Sequence, residues 1–150
     1  MSIRKVIHDA VTTEMNKPVY GLKWVDMFKG QFGANDDKEK QYPYNLPAGF
    51  VSVKNIVWED EVNDAKTGTV TVDVWLVFNI FGDTFEGATD KNKSFEIIDT
   101  VEAVADGLHW IEDSPFKELT QRSEEDLTER YNRPVFKLSF ETLVYKQVNQ

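Results

Sequence analysis

Cysteine is absent from the 150 residues of this chain. That excludes disulfide frameworks, thiolate zinc sites and cysteine nucleophiles, and it leaves the redox character of the compartment unread. Basic runs longer than a pair are also missing, and the formal net charge is −9. A nucleic-acid backbone is dense in negative charge and selects clustered Lys and Arg. Direct nucleic-acid binding is therefore not expected. No stretch of about 18 apolar residues occurs, so no transmembrane helix is expected. The opening MSIRKVIHDAVTTEM breaks its apolar residues with charges and lacks the apolar core of a signal peptide. Gly30 and Gly33 sit in a polar stretch without the lysine of a phosphate loop. GxSxG and HExxH patterns do not occur.

What is present suits one globular domain, residues 1–150. Apolar residues make up 41% and aromatics 13%, which argues against disorder. Ile3, Val6, Ile7, Ala10 and Val11 follow the spacing of an amphipathic helix, with Ser2 placed to cap it and Pro18 to end it. VYGLKWVDMFKGQF has no clean period and reads as a short docking helix around Trp24–Phe28. GANDDKEKQ reads as an exposed loop. Phe50–Trp58 and Thr69–Phe78 read as two strands of a long hairpin, joined by the turn-rich EDEVNDAKTG. FGDTFEGATDKN reads as a second loop. A second helix is expected from Ser94, capped by Ser94 or Asp90 and stopped near Asp113-Ser114-Pro115. Its apolar stripe holds Phe95, Ile98, Val101, Ala105 and Leu108, widened by Ile97, Val104 and Ile111. Phe116–Arg122, a charged turn SEEDLTERYNRP and a strand over Val135–Tyr145 complete the chain. This order predicts an α+β fold: an antiparallel sheet of about four strands with helices packed on one face.

The chemistry-bearing residues do not converge in sequence. His8 stands beside Asp9 on the polar side of the first helix. His109 abuts Trp110, within reach of a helix-terminal carbonyl. Neither has the spacing of a metal pair, and structural or surface roles are expected of both. Glu59, Asp60, Glu61 and Asp64 form the best candidate for a hard cation, but the alternating ligands and central glycine of an EF-hand are missing. A solvated hairpin tip explains them, and a solvated turn explains Glu124, Glu125, Asp126 and Glu129. Trp24, Phe28, Trp58 and Trp110 read as core or lid residues. No cofactor, metal or catalytic residue is implied.

The strand TGTVTVDVWLVFN poses the sharper question. Val70, Val72, Val74, Leu76 and Phe78 share one face, suited to packing helices. Thr69, Thr71, Asp73, Trp75 and Val77 share the other, which is neither polar nor plainly apolar. Val70, Val72, Asp73, Val74 and Trp75, the helix Phe95–Leu108, the final strand Phe136–Phe140 and the lead-in Tyr42-Pro43-Tyr44 together resemble the tail-completion or tail-terminator proteins of long-tailed bacteriophages and prophages. The likeness covers roughly residues 42–146, with Asn45–Phe50 standing as an insertion.

The resemblance implies an α+β fold without catalysis. It implies a ring of copies, often a hexamer, at the head-proximal end of the tail. Its expected partners are further copies, the tail tube and head-closure proteins, with no membrane involved. Its expected place is the virion tail or neck, assembled in the bacterial cytoplasm. A neighbouring head–tail joining role fits the same pattern. On this reading Thr71, Asp73, Trp75, Val77, Val135, Lys137, Ser139 and Glu141 form a subunit interface. The alternatives are a small-ligand-binding or enzymatic α+β domain with an aromatic-lined pocket, and a bacterial adaptor that binds a protein through a sheet edge.

Overall fold

The computed structural model describes residues 2–30, 45–60, 65–79, 89–113, 116–131 and 133–147. The fold is α+β. Helix α1 spans Ile3–Met15 and buries Ile3, Ile7, Val11 and Met15, a stripe repeating every four residues. The Ser2 hydroxyl accepts from the Lys5 N–H at 3.3 Å and caps its start. Pro18 opens a short 3-10 turn, and Gly21 reverses the chain at φ 67°.

The segment expected as a short helix is instead strand β1, Trp24–Met27. It pairs in parallel with Ala48–Val51 at the start of strand β2, Ala48–Asp60. The partner lies far along the chain, so local spacing carries no trace of it. A parallel pair needs a crossover of a dozen or more residues, and residues 28–47 supply that length.

Strand β3, Ala65–Val77, forms the expected hairpin with β2, though both strands run longer than the periodicity suggested. The hairpin tip, residues 61–64, lies outside the described residues, as do the loop expected over 33–41 and residues 81–88 of the loop expected over 81–92, whose last four residues are helical instead. Helix α2, Thr89–Leu108, starts earlier than expected. Asp90 and Ser94 therefore lie inside it rather than at its cap. Its polar first turns hold Lys and Glu, which are good helix formers. The helix buries Ile97, Val101, Val104, Ala105 and Leu108, whereas Phe95 and Ile98 face outward. It ends well before Asp113: Trp110 turns to φ 77°, and its N–H donates to the Leu119 carbonyl at 2.8 Å.

The charged stretch expected as a turn is mostly regular structure. Strand β4 covers Thr120–Asp126 and helix α3 covers Thr128–Tyr131, before the final strand β5, Val135–Gln147. Pairing along β5 holds the acidic residues of β4 extended. The sheet has five strands rather than four, in the order β1-β2-β3-β5-β4, and it is mixed because β1 is parallel to β2.

Both long helices lie on one face. Ile7, Val11 and Met15 of α1 meet Val51, Val72 and Leu76 of the sheet and Val104 and Leu108 of α2 in a single cluster, each of them shut off from solvent. Burying a side chain of this size contributes roughly 1.5–3 kcal/mol. This face therefore supplies most of the fold's stability. Among the described residues, no helix is long and apolar enough to cross a membrane.

A polar seam ties the end of α1 to the 3-10 turn that follows it, with α2 packed closely over it. The Tyr20 hydroxyl donates to Glu14 Oε2 at 2.6 Å, and Lys17 Nζ stands 2.8 Å from Glu14 Oε1. Gly107 makes room for this contact, since a Cβ there would lie 1.7 Å from the Tyr20 hydroxyl oxygen. Burial and the Glu14 hydrogen bond push the Tyr20 phenol up to about 12. Burial of Glu14 is outweighed by the hydrogen bonds from Lys17 and Tyr20, so its carboxyl is held below the usual range.

Tyr20 is more acidic in the unfolded chain, near its ordinary value of 10.0. Its contribution to stability is therefore complete below pH 10.0 and is lost as pH rises through about 12. Tyr20→Phe should remove that alkaline loss, at a cost of about 1 kcal/mol at neutral pH, both read from denaturant unfolding against pH. Gly107→Ala should destabilise by roughly 1–3 kcal/mol, even though alanine favours helix.

Candidate interaction surface: the open face of the sheet

Strand register places all eight interface residues expected from sequence on the face away from α1 and α2. Val77 pairs with Val135, Trp75 with Lys137, Asp73 with Ser139 and Thr71 with Glu141. Strand β2 completes these rows with Ala48, Phe50, Ser52 and Asn55. A bulge at Lys54 shifts the alternation there. Val51 and Val53 before it, and Ile56 and Trp58 after it, all turn toward the helices. The face then divides into three zones along the strands.

The first zone is already closed by the chain itself. Trp75 is only 9% exposed and stacks on Phe28, with ring centroids 4.0 Å apart and planes 13° from parallel. Ala48, Phe50, Val77 and Val135 are fully buried beside it, and Leu46, Leu127 and Tyr131 pack around them. The turn after β4 holds this cover in place. The Leu127 N–H donates to the Val135 carbonyl at 2.8 Å, and Asp126 Oδ1 accepts the Thr128 N–H at 2.9 Å. Trp75, Val77 and Val135 thus belong to a second, smaller core within one chain.

The middle zone is ionic. Asp73 is 1% exposed. Its Oδ1 accepts from the Ser139 hydroxyl at 2.6 Å, and its Oδ2 lies 3.8 Å from Lys137 Nζ and 3.9 Å from Lys54 Nζ. A buried carboxylate is tolerated only when paired and hydrogen-bonded. Lys54 owes its position to the bulge, and Lys137 also lies 5.6 Å from the Trp75 ring centroid. The zone is a structural clamp between the second core and the open strip.

The third zone is open. Val57 pairs with Thr69 and Thr69 with Leu143; Thr67 pairs with Tyr145 in the next row. Val57, Leu143 and Tyr145 are 57%, 52% and 53% exposed. Thr71 and Glu141 border this strip, and Glu141 Oε1 stands 3.4 Å from Arg122 Nη2. The interface expected from sequence ends at Glu141, and Val57, Leu143 and Tyr145, which it did not include, extend the same face beyond it. The signal was available: Leu143, Val144 and Tyr145 are apolar on both faces of the strand.

The other candidates disperse. His8 lines a cleft of about 540 Å³ with Arg4, Lys5, Asp9, Phe28 and Val53, between α1 and the margin of β2. Arg4 closes part of that margin by donating to the Val53 carbonyl. Among the described residues, the His109 imidazole bonds no helix carbonyl, although its backbone N–H donates to Ala105. Its Nδ1 accepts from the Gln121 N–H at 3.1 Å and so ties α2 to β4. Trp24 and Trp110 are exposed, whereas Trp58 is half-buried with Lys66 Nζ 4.2 Å over its ring. Among the described residues, no group of three or more acidic or histidine side chains could hold a metal. Glu61 and Asp64 lie outside them. No protein-family model matches the chain, and no curated protein is similar to it.

Truncation separates the zones. Trp75→Ala should destabilise the isolated chain by about 3–5 kcal/mol, as for other buried aromatics. Leu143→Ser should change its unfolding free energy by no more than about 0.5 kcal/mol.

Proposed function

We propose that this protein is a structural assembly component of a long-tailed phage or prophage particle. It acts as a tail terminator or head–tail joining subunit, forming a ring at the end of the tail tube. It performs no catalysis and needs no cofactor. Its partners are further copies of itself, the tail tube and head-closure proteins. Its place is the tail or neck of the virion, after assembly in the bacterial cytoplasm.

The phage assignment draws on the sequence pattern over residues 42–146. The observation that carries an assembly role is the third zone of the open face. Three large apolar side chains more than half exposed, Leu143 and Tyr145 on β5 and Val57 on β2 with Thr69 of β3 between, share one face of the long strands. Contiguous apolar surface of this kind marks protein contacts. Trp75 belongs to the second core at the other end of the same face, and the strip from Thr71 and Glu141 to Tyr145 makes the contact.

The alternative, a small-ligand site, is favoured by one feature, the cleft beside Arg4 and His8. Its cationic lining suits a small anion.

Purified protein should cap tail tubes assembled in vitro and limit their length, as seen by electron microscopy. Leu143→Glu should abolish capping while leaving the melting temperature unchanged. Tubes whose length and ends ignore the wild-type protein would defeat the proposal. Millimolar inorganic phosphate that raises the melting temperature, with tubes unaffected, would favour the ligand reading.

A further inference from the structure

Strand β4 forms one margin of the sheet, and among the described residues it pairs in the sheet only with β5. Near its start the margin is closed, because the Gln121 N–H donates to His109 Nδ1 at 3.1 Å. Residues 122–126, which follow, are all exposed. Register tells which of their backbone groups face outward. The Val135 carbonyl accepts from the Leu127 N–H and the Leu143 carbonyl from the Lys117 N–H, so the odd-numbered residues of β5 address β4. Glu125 lies opposite Lys137 and turns its backbone groups inward. Glu124 and Asp126 occupy the alternate positions and turn theirs outward, where no described strand meets them.

The side chains of the same two residues belong to the helix-bearing face. Glu124 lies opposite Leu138 and Asp126 opposite Phe136, and both partners pack with the main core. On that face a groove of about 260 Å³ separates β4 from α2, lined by Ile98, Val101 and Phe136 and by Glu102, Glu124 and Asp126. Small-molecule sites take roughly 300–1,000 Å³, so this groove suits one long side chain better than a free ligand. Ile98 is 43% exposed and leaves apolar surface to be covered. Asp126 is engaged with the Thr128 N–H. Among the described residues, Glu102 and Glu124 form no ion pair.

We propose that this margin takes up an extended basic segment of a partner protein as an added strand of the sheet. The inference goes beyond the assembly reading and does not rest on it. The added strand hydrogen-bonds to the outward groups of Glu124 and Asp126, a mode in which main-chain bonds give affinity and alternate side chains give specificity. Its side chains on the helix-bearing face enter the groove. A lysine or arginine there lays its methylene stem on Ile98 and Phe136 and brings its charged head between Glu102 and Glu124. An acidic segment would meet like charge, and an apolar one would leave the carboxylates covered and unpaired. Carboxylates on an edge strand also keep unselected strands away. That protective role needs only the strand's own charges; it makes no use of the apolar groove or of Glu102 on α2.

The test is fluorescence anisotropy of the full chain with a labelled peptide of alternating lysine and valine. Two further peptides serve as comparisons, one with glutamate in place of lysine and one N-methylated along its backbone. The lysine peptide should bind saturably, more weakly as salt is added, and should protect the Glu124 and Asp126 amides from hydrogen exchange. The glutamate and N-methylated peptides should not bind. Glu102→Lys with Glu124→Lys should weaken binding by roughly tenfold or more, with the melting temperature close to wild type. Glu59→Lys with Glu112→Lys makes the same change in net charge at exposed positions on β2 and past the end of α2. It should leave the affinity within about twofold, since screening confines charge effects to short range. A lysine peptide that does not bind saturably overturns the proposal. So does an equal loss in the two double variants, which marks general charge attraction. Undiminished binding of the N-methylated peptide overturns the added strand, and protection at Leu143 and Tyr145 instead of β4 overturns the site.

Discussion

Pairing of β3 along both sides is the constraint on which the rest of this molecule depends. All thirteen of its residues pair with β5 across one edge, and Lys66–Val77 pair with β2 across the other. Successive side chains of a strand point to opposite faces, so this one segment must satisfy two environments at once. The even positions from Val70 to Leu76 complete the core under α1 and α2. The odd positions face a surface that the two long helices never reach. The hidden Trp75, the clamped Asp73 and the open row at Thr69 all follow from that alternation.

The open face behaves as a gradient of closure. At one end the chain folds back on it twice, through Phe28 after β1 and through Leu127 and Tyr131 around α3, and a small core forms. At the other end nothing among the described residues covers Val57, Leu143 and Tyr145. Between them lies a carboxylate with two lysines and a serine, where unsatisfied charge would be most damaging. Asp73 ties β2, β3 and β5 together at the boundary between buried and exposed zones. That gives the exposed platform a rigid base, and rigidity is what a contact surface needs if it is not to lose binding energy to ordering.

Much of the fold was legible because it is written in short-range periodicity. The stripe Ile3, Ile7, Val11 marked α1 within a few residues of its true ends, and the alternation from Val70 to Leu76 marked the inner face of β3. The face of the expected interface was also readable, since register follows once two strands pair. The failures share one physical cause. Trp24–Met27 became a strand because of Ala48–Val51, a distant partner. Glu124–Asp126 became a strand because β5 holds it extended, despite a composition that favours a turn. The extra residue at Lys54 was visible in the switch from Val51 and Val53 to Ile56 and Trp58, but only pairing with β3 shows where the bulge must fall.

By itself the sequence determined the α+β class, the two amphipathic helices, the inner face of β3 and the absence of thiol chemistry. Each depends on composition or on neighbours a few residues apart. Tertiary structure decided which part of the open face is closed and which is available. Trp75 and Leu143 are both large apolar residues on the same face of the same sheet, and nothing in their local sequence separates them. Phe28 lies over one, through a strand paired far along the chain, and no described residue lies over the other. Burial is a property of what arrives from a distance, and only the folded chain brings it there.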